Sequence, residues 1–343
     1  MGNVQSYIVA SLSVCSVYLV YVHVYCAHKL LKTTELHSDK LPSNAYVYMK
    51  YLSRRVTRRT GCLYGTEKQE AVYTVVTCRV EDTLLRRFCS AAGYGWDYPD
   101  SEYRDIPLCF PEFLCGRPLL MLLTHENFRL SPAGLVHVRQ SLKTFQPIDE
   151  LKKGPFTLRV QVLGYQPTDL GVEVDICLSA TSRSRCVVWE SVLTLLSENK
   201  LHKAIRCSPK NENESEKDEP APDTLKQVEL KVPWTPDLKC TWSFPCKLLY
   251  LLARLFRFTP HRAPSLWMFS VCLAEIEKHK GVKVITAPVT VTAQFKEPLL
   301  VPGKVTVSFW EAPEKREQSQ SLCFQMQQHR GGKAHLVGLI SRC

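Results

Sequence analysis

The stretch Ser208–Thr224 reads SPKNENESEKDEPAPDT and contains no aliphatic side chain larger than alanine. Such a segment cannot bury a core, so it is expected to be a charged, disordered linker between two folded units. The same order of patterns stands on either side of it. Before it, Val80–Ala92 and Pro111–His125 have helical character, the second almost entirely apolar, as a buried helix would be. Four β-branched, partly alternating runs follow: Leu135–Ile148, Phe156–Tyr165, Gly171–Ser182 and Cys186–Leu196. After it, Lys226–Val232 reads as a strand, and Cys246–Phe258 and Ser265–Lys278 as helices. Lys283–Phe295, Lys304–Trp310, Ser321–Gln327 and Ala334–Ile340 then read as strands. Helix, buried helix, then long antiparallel strands, stated twice, is the order of an α+β fold in which each sheet wraps one helix.

The first thirty residues are a separate problem. From Tyr7 to Ala27 there is no Asp, Glu, Lys or Arg. At ~1.5 Å per residue a helix of this length would cross the ~30 Å apolar layer of a bilayer. The basic n-region and small-residue cleavage site of a signal peptide are missing, so the run reads as an uncleaved anchor. Lys29, Lys32, Lys40, Lys50, Arg54, Arg55, Arg58 and Arg59 all follow it, and no basic residue precedes it. The positive-inside rule then puts the rest of the chain in the cytosol. The endoplasmic reticulum is the expected membrane, with the mitochondrial outer membrane as the alternative. Gly2 also fits the short N-myristoylation pattern, which adds little beside a span.

The expected division is therefore an anchor over 1–30, a basic juxtamembrane linker over 31–69, a first domain over 70–207, the linker over 208–224 and a second domain over 225–343. The net charge of +11 is not gathered on a nucleic-acid-reading motif, which argues against a nucleic-acid partner. The 15 cysteines include no Cys-x-x-Cys pair and read as reduced core thiols rather than disulfides or zinc ligands. No P-loop, dinucleotide fingerprint or nucleophile elbow is present, and neither a metal nor a cofactor is expected.

Several stretches carry a resemblance. These are Gly134–Ser141, Phe145–Ile148, Gly171–Val174 and Val188–Ser191 in the first half, and Leu252–Phe258 and Phe295-Lys296-Glu297-Pro298-Leu299-Leu300-Val301-Pro302-Gly303 in the second. Together they resemble the double hot-dog proteins of the MaoC-like dehydratase family, over roughly residues 70 to 340. The resemblance implies two hot-dog halves paired within one chain, with room for a homodimer. It also implies an acyl-CoA or acyl-carrier thioester as ligand, and reversible hydration of a trans-2-enoyl thioester as reaction. In that family an Asp and a His activate the water, and backbone N–H groups opening the central helix polarise the thioester carbonyl.

The chain departs from the family where the chemistry sits. At the positions of the Asp–His motif stand Thr241-Trp242-Ser243-Phe244-Pro245-Cys246-Lys247, of which only Pro245 fits. Trp242 replaces the carboxylate and cannot accept a proton; Lys247 replaces the imidazole and is a cation near neutral pH. Pro264-Ser265 stands where the family opens its central helix, so Ser265 and Leu266 are the expected N–H donors to an acyl carbonyl. His261 is the one nearby substitute base, although no neighbouring carboxylate orients it. His125 and His137 read as ordinary packed or surface histidines. The loop Gly93–Asp105 reads as a lid over an acyl groove or as a plain surface connection. The leading expectation is a membrane-anchored, catalytically degenerate protein that binds an acyl thioester or lipid, or acts as a scaffold. The alternative is a working hydratase, dehydratase or thioesterase using displaced residues.

Overall fold

The computed structural model describes residues 7, 11–18, 21–65, 71–98, 106–199, 226–232, 262–312, 321–328 and 332–342. Eleven strands form one sheet, in the order β1-β2-β4-β5-β6-β3-β8-β11-β10-β9-β7. They are β1 (Glu35–His37), β2 (Val72–Cys78), β3 (Leu135–Thr144), β4 (Phe156–Thr168), β5 (Gly171–Thr181), β6 (Val187–Glu198), β7 (Lys226–Val232), β8 (Val289–Phe295), β9 (Gly303–Glu311), β10 (Ser321–Gln328) and β11 (Ala334–Arg342). The helices are α1 (Ala27–Leu31), α2 (Asn44–Thr57), α3 (Asp82–Ala91), α4 (Phe110–Leu114), α5 (Gly116–Thr124) and α6 (Ser265–Lys280).

The topology repeats. Read outward from the centre, the first half runs β3-β6-β5-β4-β2 and the second runs β8-β11-β10-β9-β7. In each half the central helix lies in the chain between the outer strand and the innermost one: α4–α5 between β2 and β3, and α6 between β7 and β8. The two expected sheets, each with its central helix, join edge to edge. β3 and β8 pair antiparallel from Arg139↔Gln294 to Thr144↔Val289, so the two sheets are continuous. The physical reason is that an unpaired inner strand would expose its N–H and C=O groups, and each half supplies the other with a partner. Thr144 reinforces the seam, its hydroxyl oxygen accepting from the Val289 N–H at 3.2 Å.

Alternation decides which face each strand buries. Phe156, Leu158, Val160 and Val162 point inward on β4, and Val305, Val307 and Phe309 on β9. Gly338 on β11 lies opposite Phe324 of β10. A Cβ there would come within 2.2 Å of the Phe324 ring, so only glycine lets that ring lie across the strand. Cys78, Cys89, Cys109, Cys115, Cys177 and Cys272 are buried free thiols. Among the described residues no group of His, Cys, Asp and Glu is placed to hold a metal ion.

Several elements differ from expectation. The apolar helix expected over Pro111–His125 is two helices meeting at Cys115, where Pro118 cannot donate to a continuing ladder. The strand expected from Lys283 begins at Val289, because Val282–Val284 forms a single tight helical turn after α6. The basic linker expected over 31–69 instead supplies β1, which pairs parallel to β2, and α2, which buries Val47. Two of its basic residues, Arg54 and Arg58, face protein. Arg54 donates to the His125 carbonyl and Arg58 to those of Phe128 and Leu130, just past the C-terminal end of α5. A helix end leaves carbonyls that need such donors.

Within the expected anchor, residues 11–18 are helical and Tyr21–Cys26 forms a wider turn leading into α1. Among the described residues no helix is long and apolar enough to cross a membrane. The linker Ser208–Thr224 and the helix expected over Cys246–Phe258 lie outside the described residues.

Candidate acyl site between the two halves

A cavity of about 300 Å³ opens where the first half's central helices meet the start of α6. Its deep wall comes from α4 and α5. Glu112, Gly116, Leu119 and Leu123 follow one another at helical spacing and form a single stripe facing the space. Leu193 and Leu195 of β6 and Leu135 of β3 line another side, and Tyr51 of α2 and Pro132 close part of the rim. The Tyr51 hydroxyl donates to the Pro132 carbonyl at 3.2 Å, which fixes that edge. Pro264, Ser265 and Leu266 form the remaining wall.

The stretch Phe295–Gly303 explains how α6 is aimed. The Ala263 N–H donates to the Leu299 carbonyl at 2.9 Å, and Arg262 bridges Leu300. The other end of the stretch is tied to β11: the Lys296 N–H donates to the His335 carbonyl at 3.0 Å. Pro264 caps the helix in an extended conformation without a side-chain cap. The first N–H groups of a helix have no partner within the helix, so those of Ser265 and Leu266 point out of its electropositive end. Both residues named from the sequence as carbonyl-polarising donors therefore stand in the cavity wall.

His137 reaches the same wall from β3. The pairing of β3 with β6 shifts between His137↔Leu195 and Arg139↔Thr194, leaving Val138 as an extra residue. Beyond that bulge the inward positions are Gln140, Leu142 and Thr144; before it they are Leu135 and His137. The bulge changes the parity of the strand and so turns the imidazole toward the cavity. His137 Nδ1 lies 2.9 Å from Ser265 Oγ, and Nε2 lies 3.0 Å from the Arg139 carbonyl. A carbonyl only accepts, so the ring hydrogen is on Nε2 and Nδ1 accepts from the Ser265 hydroxyl. The Phe295 ring packs against the imidazole at 4.3 Å between centroids. Burial lowers the His137 pKa to about 4, so the ring is neutral at pH 7.

Glu112 is the second ionisable group of the cavity. It is 7% exposed and accepts from Gln140 Nε2 at 2.5 Å, while the same nitrogen donates to Ser191 Oγ at 3.0 Å. Burial raises its pKa to about 8, against the opposing pull of the Gln140 hydrogen bond, so it is mostly protonated at neutral pH. The cavity thus combines apolar walls, a neutral imidazole, a hydroxyl, the first residues of a helix and a protonated carboxyl.

Solved structures with this architecture match most of the chain. HtdX of Mycobacterium tuberculosis is 18% identical, with a TM-score of 0.56, covering 78% of this chain and 98% of its own. A MaoC-like dehydratase from Phytophthora capsici is 14% identical, with a TM-score of 0.55, covering 84% and 98%. The full-length peroxisomal multifunctional enzyme type 2 of Drosophila melanogaster is 14% identical, with a TM-score of 0.53, covering 80% of this chain and 48% of its own. The fold is the MaoC-like double hot dog. No protein-family model and no curated protein sequence matches the chain.

Within this double hot dog, Trp242, Pro245, Lys247 and His261 lie outside the described residues. His137, expected to be an ordinary packed or surface histidine, lines the cavity and pairs with Ser265. Glu112 was not singled out; its signal was a lone carboxylate at helical spacing from Gly116, Leu119 and Leu123. Of the loop Gly93–Asp105, read as a lid or as a surface connection, residues 93–98 are described. Tyr98 donates to Glu277 at 2.7 Å, near the other end of α6 from Ser265.

Proposed function

We propose that this double hot dog binds an acyl thioester, with the acyl chain along the α4–α5 stripe and the thioester carbonyl at the start of α6. The observation that carries the reading is the position of the apolar cavity. Ser265 and Leu266, the first residues of α6, are among its lining residues, and a helix N-terminus favours a carbonyl oxygen. Acyl-CoA and acyl-carrier thioesters share this chemistry. Enoyl hydration is not its reaction in this reading, because Trp242 and Lys247 replace the water-activating pair of the family it resembles.

The reading includes an N-terminal anchor and a cytosol-facing domain at the endoplasmic reticulum. Supporting it are the uncharged run Tyr7–Ala27 and the exposure of Leu12, Val14, Val17, Tyr18, Tyr21, Val24 and Tyr25. Large apolar side chains gathered on an exposed segment need an apolar environment. Ser208–Thr224 then serves as the tether between halves.

Calorimetric titration of the full chain with palmitoyl-CoA, in parallel with a trans-2-enoyl-CoA hydration assay, tests the functional part. Saturable binding without hydration is expected. Absence of binding, or hydration at enzymatic rates, would refute it. Carbonate extraction and protease protection test the anchor: the chain should stay with the membrane and be digested from the cytosolic side.

A further inference from the structure

The contact between His137 and Ser265 joins the two halves in the wall of an apolar cavity, and it has the parts of a nucleophile with its base. We infer that Ser265 is an acyl-accepting nucleophile and His137 its general base, giving the protein a serine-dependent thioesterase activity toward long-chain acyl thioesters. The inference rests on the acyl-thioester reading above.

Three features of the contact fit this use. The Ser265 hydroxyl donates to a nitrogen whose lone pair is left free by the tautomer, because the Arg139 carbonyl holds the hydrogen on the opposite nitrogen. That carbonyl and the Phe295 ring fix the plane of the imidazole. The nucleophile is also the first residue of a helix of 16 residues, so the N–H groups that would stabilise a developing oxyanion belong to Ser265 itself and to Leu266. A serine that only capped a helix would accept from its own first turn, and here Pro264 holds the cap position without a side-chain bond.

The reaction balances with water alone. Ser265 Oγ attacks the thioester carbonyl carbon while its proton passes to His137 Nδ1. The C–S bond breaks, and the leaving thiolate takes that proton and departs as the thiol. Water then gives a proton to Nδ1 and attacks the acyl-serine ester. The C–O bond to Ser265 breaks, and Oγ recovers the proton as the carboxylic acid leaves.

The experiment measures thiol release from palmitoyl-CoA, palmitoyl-CoA binding and the intact mass of the full chain, on the parent protein and on Ser265→Ala, His137→Gln and Ser265→Cys. Thermal melts establish that each variant folds. Thiol release by the parent is expected to fall about 100-fold or more in Ser265→Ala and His137→Gln, with binding retained. Ser265→Cys is expected to accumulate a palmitoyl adduct mapping to position 265, a signature that a merely structural serine would not give. Binding without thiol release or adduct would overturn the nucleophile and leave the binding reading standing. Thiol release undiminished in Ser265→Ala would do the same, and absence of binding would overturn both.

Discussion

The two central helices occupy equivalent places in the repeated topology but are buried in different ways. From Trp267 to Glu277 every residue of α6 is buried, and Phe269, Cys272, Leu273, Ala274 and Ile276 are at or near zero exposure. The α4–α5 pair is also buried, yet one of its stripes faces empty space rather than packed side chains. Gly116 and the break at Cys115 lie along that face. The duplicated fold has therefore divided its work. Among the described residues, the second half contributes the packed helix α6 and its N-terminus to the cavity wall, and the first half contributes most of the lining.

Substitutions that add volume should break this comparison most visibly. Leu119→Trp is expected to fill the cavity, leave the fold standing and weaken palmitoyl-CoA binding roughly 100-fold, as calorimetry would record. Ala274→Trp, in the packed helix, has nowhere to go and is expected to yield no cooperative thermal transition. Removing volume sharpens the same contrast. Phe269→Ala should cost about 3–5 kcal/mol in urea unfolding, whereas Leu123→Ala, already beside a void, should cost about 2 kcal/mol.

Both halves were legible in the sequence because periodicity and β-branched runs report burial directly. The strands β4 to β7 and β9 to β11, and α6, fall within a few residues of their expected bounds. The continuous sheet was not legible, since pairing between β3 and β8 depends on which inner edges meet. Ser265 and Leu266 were named because they stand where the resembled family opens its central helix, and α6 begins at Ser265. His137 was not named as a site residue, because its direction depends on a bulge at Val138, which alternation in LVHVRQSLKT does not signal. Glu112 was hidden by its apolar neighbours. The helix α2 was hidden because Arg54 within it and Arg58 at its C-cap donate to protein carbonyls instead of facing solvent.

The ionisable groups extend the contrast. Glu112 has a folded pKa of about 8, raised above the ordinary carboxylate value. Its contribution to stability is fully present at low pH and is lost as pH rises toward 8. His137 has a folded pKa lowered to about 4, so its contribution is present above the ordinary imidazole value and is lost as pH falls through about 4. The difference between parent and Glu112→Gln isolates the carboxyl. The variant should lack a loss on the order of 3 kcal/mol between pH 5 and pH 8, read from denaturant midpoints. The smallest expected effect is at α2, where Arg58→Ala should cost about 1–2 kcal/mol by leaving the Phe128 carbonyl without its donor.

The division of labour between the halves is tested most directly by photocrosslinking with a palmitoyl-CoA carrying a diazirine near the end of its chain, followed by peptide mapping. Adducts are expected on Leu119, Leu123, Leu193 or Leu195 of the first half. Adducts within Trp267–Glu277, with none in the first half, would contradict the account.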